Sequence, residues 1–206
     1  MAKRWFAATL SIAVLFGVGA CSNEKTQATS QANSPVADSG RADPSAALVA
    51  HLRDTSSARY EPFETPKDML SDADVAIMGE VVSVELAMIR NEFDGQGGVV
   101  VGVRPLEVWK EAKGEPAELT YFVVRRAKNV GVEPFRAGLP VGHNVAIFGY
   151  TSDVQFIEGD PGQPILEPAP QGLFIETDAG LANVYAPGDD GWPEIKTMKD
   201  LAASIL

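Results

Sequence analysis

One cysteine, Cys21, and two histidines, His51 and His143, are the only such residues in this 206-residue chain. A lone cysteine excludes an internal disulfide, so a folded domain here is held by its core even in an oxidising compartment. Two histidines without a second cysteine also fall short of the usual zinc sites, and no metal or other cofactor is expected. Nucleophilic motifs are missing as well. There is no G-x-S-x-G elbow, and His143 follows a glycine at a strand start, where a loop or edge position explains it. There is no phosphate-cradling G-x-x-x-x-G-K-[ST] loop, and Gly95-Gln96-Gly97-Gly98 precedes a strand pattern where a phosphate loop would precede a helix. Positive charge is scarce: 17 Lys and Arg face 28 Asp and Glu. Such a surface repels phosphate backbones and anionic headgroups, which argues against a nucleic-acid partner. No apolar run reaches the ~20 residues that a spanning helix needs.

The N-terminus is informative by what it contains. Lys3 and Arg4 precede an apolar run from Trp5 to Val18, and the small residues Gly19 and Ala20 follow. That order is the pattern of an export signal. The run Val18-Gly19-Ala20-Cys21 resembles the lipobox of bacterial lipoproteins. The resemblance implies that residues 1–20 are a cleaved signal peptide and that Cys21 is fatty-acylated, with palmitate or a similar chain. It places the protein in the bacterial cell envelope, lipid-anchored to a membrane, with its domain periplasmic or on the cell surface. Loss of Lys3 and Arg4 leaves 15 cations against 28 carboxylates, a formal charge of −13. With no basic amphipathic helix to assist, contact with the membrane runs through the lipid on Cys21.

Residues 22–47 have one large aliphatic residue, Val36, and no aromatic. Such a segment buries too little apolar surface to offset the entropy of ordering it. The chain therefore divides into a signal at 1–20, an anchor and disordered linker at 21–47, and a single domain at 48–206. The linker's r.m.s. reach is about 25–30 Å.

Within the domain, Leu48–Leu52 has the pattern of one or two helical turns, with His51 on the surface. Thr65-Pro66-Lys67-Asp68 is a stronger start, combining a capping threonine, a first-position proline and a capping-box acid. Strand patterns follow. Val75, Ile77, Gly79 and Val81 alternate with Ala76, Met78 and Glu80, and the phase slips at Val81-Val82 beside a glycine, as at a β-bulge. Further strands are predicted over Val99–Trp109, Leu119–Val124 and His143–Tyr150. Gly172–Glu176 and Leu181–Tyr185 pair across a tight turn. Thr151–Gln171, with four prolines, reads as a long excursion. Ile195, Met198, Leu201, Ala202 and Ile205 form one helical stripe within Pro193–Leu206 that packs on the sheet. The predicted fold is mainly β: a small, bent, antiparallel, OB-like barrel with a short N-terminal helix and a C-terminal helix.

The order of these strands, with the glycine bulge and Val108-Trp109-Lys110, is similar over Ser71–Tyr150 to netrin-like, tissue-inhibitor-of-metalloproteinase-like OB-folds. Inhibitors of that family chelate a protease zinc through an N-terminal cysteine held by disulfides against the barrel. Here Cys21 is taken by the lipid and lies a linker away, so inhibition by that route is not expected.

Acidic loops are the remaining polar feature. Asp153, Glu158 and Asp160 lie in the excursion, and Asp189-Asp190 precede the final helix. None has EF-hand spacing, and solvated carboxylates explain them. Asp189-Asp190 also suit a helix N-terminus. Trp109, Tyr121, Phe122, Phe148, Tyr150, Phe174 and Tyr185 lie on predicted strands, about half of them facing inward. A loop of about twenty residues in a small domain is usually functional or disordered. Val154, Phe156, Glu158 and Asp160 are therefore the candidate binding residues, with Trp192 as a lid over the barrel end. The expected function is non-enzymatic binding or scaffolding of an envelope protein or polymer. The alternatives are a protease inhibitor acting through a loop, and an envelope hydrolase whose acid/base pair joins Glu80 or Glu107 to a loop aspartate.

Overall fold

The computed structural model describes residues 42–55, 61–90, 96–111, 118–126, 130–185 and 192–206. The expected signal peptide, Cys21, most of the expected linker and Asp189-Asp190 lie outside the described residues. In chain order the elements are α1 (Pro44–Thr55), α2 (Pro66–Asp72), β1 (Val75–Ile89), β2 (Gln96–Lys110), β3 (Thr120–Arg126), α3 (Glu133–Gly138), β4 (Asn144–Ser152), β5 (Phe156–Glu158), β6 (Ile165–Thr177), β7 (Gly180–Asn183) and α4 (Met198–Ile205).

β-branched residues at alternate positions build the two longest strands, β1 and β2, which pair antiparallel along nearly their whole length. Three register shifts bend β1, and the one between Val81 and Ser83 leaves Val82 without a cross-strand partner. That is the phase slip seen in the sequence. Bending lets β1 use its other edge as well: Val75–Glu80 pair with β4. β4 then pairs antiparallel with β6, and β3 pairs with β2. A parallel contact of Tyr121 with Ile165 and Phe122 with Leu166 joins β3 to β6. The strands thus run β1-β2-β3-β6-β4 and return to β1, a mainly β, OB-like ring with short helices towards the N- and C-terminal ends of the chain. It is not a regular barrel, because the closing contact is only two residue pairs long.

Alternation divides the apolar residues between two sides of the sheet. Val81, Val101, Val103, Phe122, Val145, Ile147, Leu173 and Ile175 fill the interior together with Leu48 and Leu52 of α1 and Phe135 of α3. Phe148, Ala146 and Phe174, on the opposite faces of β4 and β6, meet Met69 of α2 and Met198, Leu201 and Ile205 of α4. β4 is therefore buried on both faces. The C-terminal stripe packs on the sheet as its period predicts, although α4 itself begins only at Met198, capped by Thr197 and Asp200. Thr65, Pro66 and Asp68 make the predicted capping box of α2.

Three local expectations are corrected, and one helix had not been expected. α1 starts at Pro44, inside the stretch read as linker, and the Ser45 hydroxyl is buried, donating to the Gly138 carbonyl at 2.8 Å. Composition misled there, because short residues such as Ser45 fit where a helix meets another helix closely. His51 is not a plain surface residue: its ring meets Phe135 edge-on, with centroids 6.3 Å apart. α3 had no periodic signal, being six residues long with no side-chain cap. The proline-rich excursion is mostly strand: β4 extends to Ser152, β5 lies on β1, and β6 starts at Ile165. Pro161 and Pro164 lie outside the strands, and Pro170 falls in an irregularity of β6. Pairing jumps from Gly149–Pro168 to Ile147–Leu173, so residues 169–172 leave the ladder. Gln171 is fully buried in that bulge, at φ 61°. Its side-chain oxygen accepts from the Phe63 amide at 2.7 Å, and its carbonyl accepts from Asn183 Nδ2 at 2.8 Å.

Candidate functional site

The chain between β4 and β6 runs out along 152–156 and returns along 160–165. Between these two legs lies an open cleft of about 320 Å³, lined by Ser152, Val154, Phe156, Asp160, Gln163 and Ile165 among others. Its apolar wall is part of a small core: Val154 and Phe156 pack against Ala87, Ile89, Val100, Val123 and Ile165. Backbone bonds hold both legs. The Arg90 amide donates to the Gln155 carbonyl at 2.8 Å, and the Val154 amide donates to Ser152 Oγ at 3.2 Å. On the return, the Gly162 amide donates to Asp160 Oδ1 at 2.8 Å. Gly159 makes the reversal at φ 76°, lying against the Leu86 carbonyl so closely that a Cβ would clash.

Of the residues singled out from the sequence, Val154, Phe156 and Asp160 therefore meet at one cleft. Glu158 stands exposed on β5 beside it, next to the exposed Ile157. Trp192 is elsewhere. Its ring stacks on Phe174 at 6.1 Å and 17°, and its Nε1 donates to the Glu64 carbonyl at 3.0 Å. It covers the outer face of β6 beside α4, away from the side of the ring where α1 and α3 pack on each other, so it is no lid over a barrel end. Trp192 borders a second cleft of about 250 Å³ with Arg53, Thr177, Asn183 and Lys196 on its walls. The sequence reading missed Ser152, Gln163 and Ile165 as lining residues. Two-residue alternation running on past Tyr150 is the signal for Ser152; no local pattern marks Gln163 or Ile165.

The carboxylates considered for acid/base work have other partners. Glu80 lies 4.0 Å from Arg104, and Glu107 accepts from Trp109 Nε1 at 3.1 Å. Nε2 of His143 lies 2.9 Å from the Glu176 carbonyl, and Asn144 donates to the Glu176 carboxylate at 3.0 Å. Tyr150 hydrogen-bonds Asp72, while Asp74 accepts from the Thr151 amide at 2.9 Å. Burial, then the bond to Asp72, then the charges of Asp72 and Asp74 push the Tyr150 phenol up to about 12. It stays protonated near neutrality and is no general base there. Among the described residues, no group of three or more His, Cys, Asp or Glu side chains is placed to hold a metal ion. What the main cleft offers chemically is an apolar wall with a carboxylate at its mouth, an arrangement suited to holding a ligand. No protein-family model matches this chain, and no curated protein shows a significant match to it.

Proposed function

We propose that this protein is a lipid-anchored, extracytoplasmic binding domain of a bacterial cell envelope, tethered through Cys21 and holding an envelope protein or polymer in the 152–165 cleft. The observation that carries the binding half of this reading is that Val154, Phe156 and Asp160 line one cleft with a wall built into the core. A further support is positional: in OB-folds the loop between the fourth and fifth ring strands borders the ligand face, and here that loop is the β4–β6 connection. The anchoring half rests on the lipobox-like residues. The non-enzymatic character rests on the absence of a convergent nucleophile and base among the residues considered.

Three experiments test it. Cys21→Ser abolishes fatty-acid labelling and releases the protein or leaves its precursor uncleaved; persistent labelling sinks the anchoring claim. Mild cross-linking in membranes captures a partner that Phe156→Ser loses while its melting transition stays cooperative. Capture that survives the substitution removes the cleft from consideration, and hydrolysis of an envelope substrate by pure protein overturns the non-enzyme reading.

A further inference from the structure

β5 is a three-residue strand paired along one edge only, to Met88 and Ile89 of β1. Among the described residues, no strand covers its other edge. An uncovered edge is a template for another extended chain, and the first residue of β5, Phe156, also lines the cleft. A segment paired along β5 therefore ends at the cleft mouth, where an apolar side chain finds Val154, Phe156 and Ile165. Charge narrows the occupant. No lysine or arginine occurs between Arg136 and Lys196, and this loop carries Asp153, Glu158 and Asp160, all exposed. Arg90, whose backbone meets Gln155, is the cation nearest in the pairing, and it leaves the loop net negative.

We infer that the occupant is an extended, cationic segment of a partner protein, with apolar and basic residues alternating, added as a strand to β5. This deepens the proposed binding function and rests on it. Main-chain hydrogen bonds along the edge supply affinity, and the cleft selects the apolar position. Rim carboxylates speed encounter and reject acidic chains, an effect that weakens with salt. An acidic polymer or a nucleic acid is excluded by the same charges. The short, charged strand limits self-pairing at this edge.

The test uses three ten-residue probes with the full chain: a Lys/Val alternating peptide, its Glu/Val counterpart, and the Lys/Val peptide N-methylated at alternate amides. Binding is read by fluorescence anisotropy and by amide chemical shifts. The Lys/Val peptide is expected to bind saturably, with shifts grouped at 85–90 and 152–165. The Glu/Val and N-methylated probes, and the paired substitutions Glu158→Lys and Asp160→Lys at exposed positions, each weaken binding at least tenfold. Equal binding of the N-methylated probe overturns strand addition, and equal binding of the Glu/Val probe overturns charge selection. No binding of the Lys/Val peptide overturns the inference outright. So does a concentration-dependent dimer that the two Lys substitutions dissolve, which gives the edge to a second copy. None of these results decides the membrane capture of the Phe156→Ser variant, so the wider binding reading stands or falls separately.

Discussion

Gly159 turns the chain back from β5 at a positive φ with the Leu86 carbonyl against its α-carbon, and both facts exclude a side chain. Gly159→Ala should lower stability by about 1–3 kcal/mol, the usual cost of such strain, and loosen the cleft before the ring. Denaturant unfolding gives the first, and hydrogen exchange at 152–165 the second. Ionisable residues contribute at both pH extremes. Burial pushes Tyr150 and Tyr185 up to about 12 from 10.0, so absorbance should show both phenols ionising late. A phenol whose folded value is raised stabilises the fold fully below pH 10, and that contribution is lost as the pH climbs through the folded value. The melting temperature should therefore fall above pH 10, less steeply in Tyr150→Phe. Asp43 behaves in the opposite sense. The Asp178 amide above all, with the amides at the start of α1, holds its carboxyl below 3.8. Its stabilisation is present above that value and lost as the pH falls through the lower folded one. Melting curves of Asp43→Ala should match the parent most closely at the acid end.

Elements depend on their neighbours to different degrees. α4 has only eight residues, too few to persist alone in water. It is held by Thr197 and Asp200 at its start and by Met198, Leu201 and Ile205 against Phe148 and Phe174. Leu201→Ala should cost about 2–5 kcal/mol, and Thr197→Ala about 0.5–2 kcal/mol, both measured by chemical denaturation. A larger cost for Thr197→Ala than for Leu201→Ala would show that the helix is held by its cap more than by its stripe. The β4–β6 connection divides in the same manner. Ile165 and Leu166 are buried core, and Pro168 pairs with Gly149. Replacing Val154–Pro168 by a Gly-Ser turn should therefore unfold the domain, contrary to what a free loop would allow. Shortening only residues 160–163 should leave the transition nearly in place while opening the cleft.

Across the whole molecule, stability and site come from contacts between distant parts of the chain. β1 meets β4, and β3 meets β6, each pair separated by forty residues or more. Non-local pairing of this kind predicts folding in milliseconds to seconds, not microseconds. The charge balance, the absence of disulfides, the bulge at Val82, the α2 capping box, the β6–β7 hairpin and the C-terminal stripe were all legible in the residues. Each depends on neighbours within a few positions, where alternation, helical period and capping chemistry act directly. The parallel joint at Tyr121–Ile165, the entry of α1 into the core and the six-residue α3 were not. Nothing local marks which strand edges will meet, or which small residues will be covered by a partner that arrives later in the chain. The binding residues show the same division. Sequence picked Val154, Phe156 and Asp160 because the loop is long and proline-rich. Only the tertiary structure made them one cleft, seated Phe156 on Ile89, and sent Trp192 to another face, because register and sheet closure decide which side chains converge.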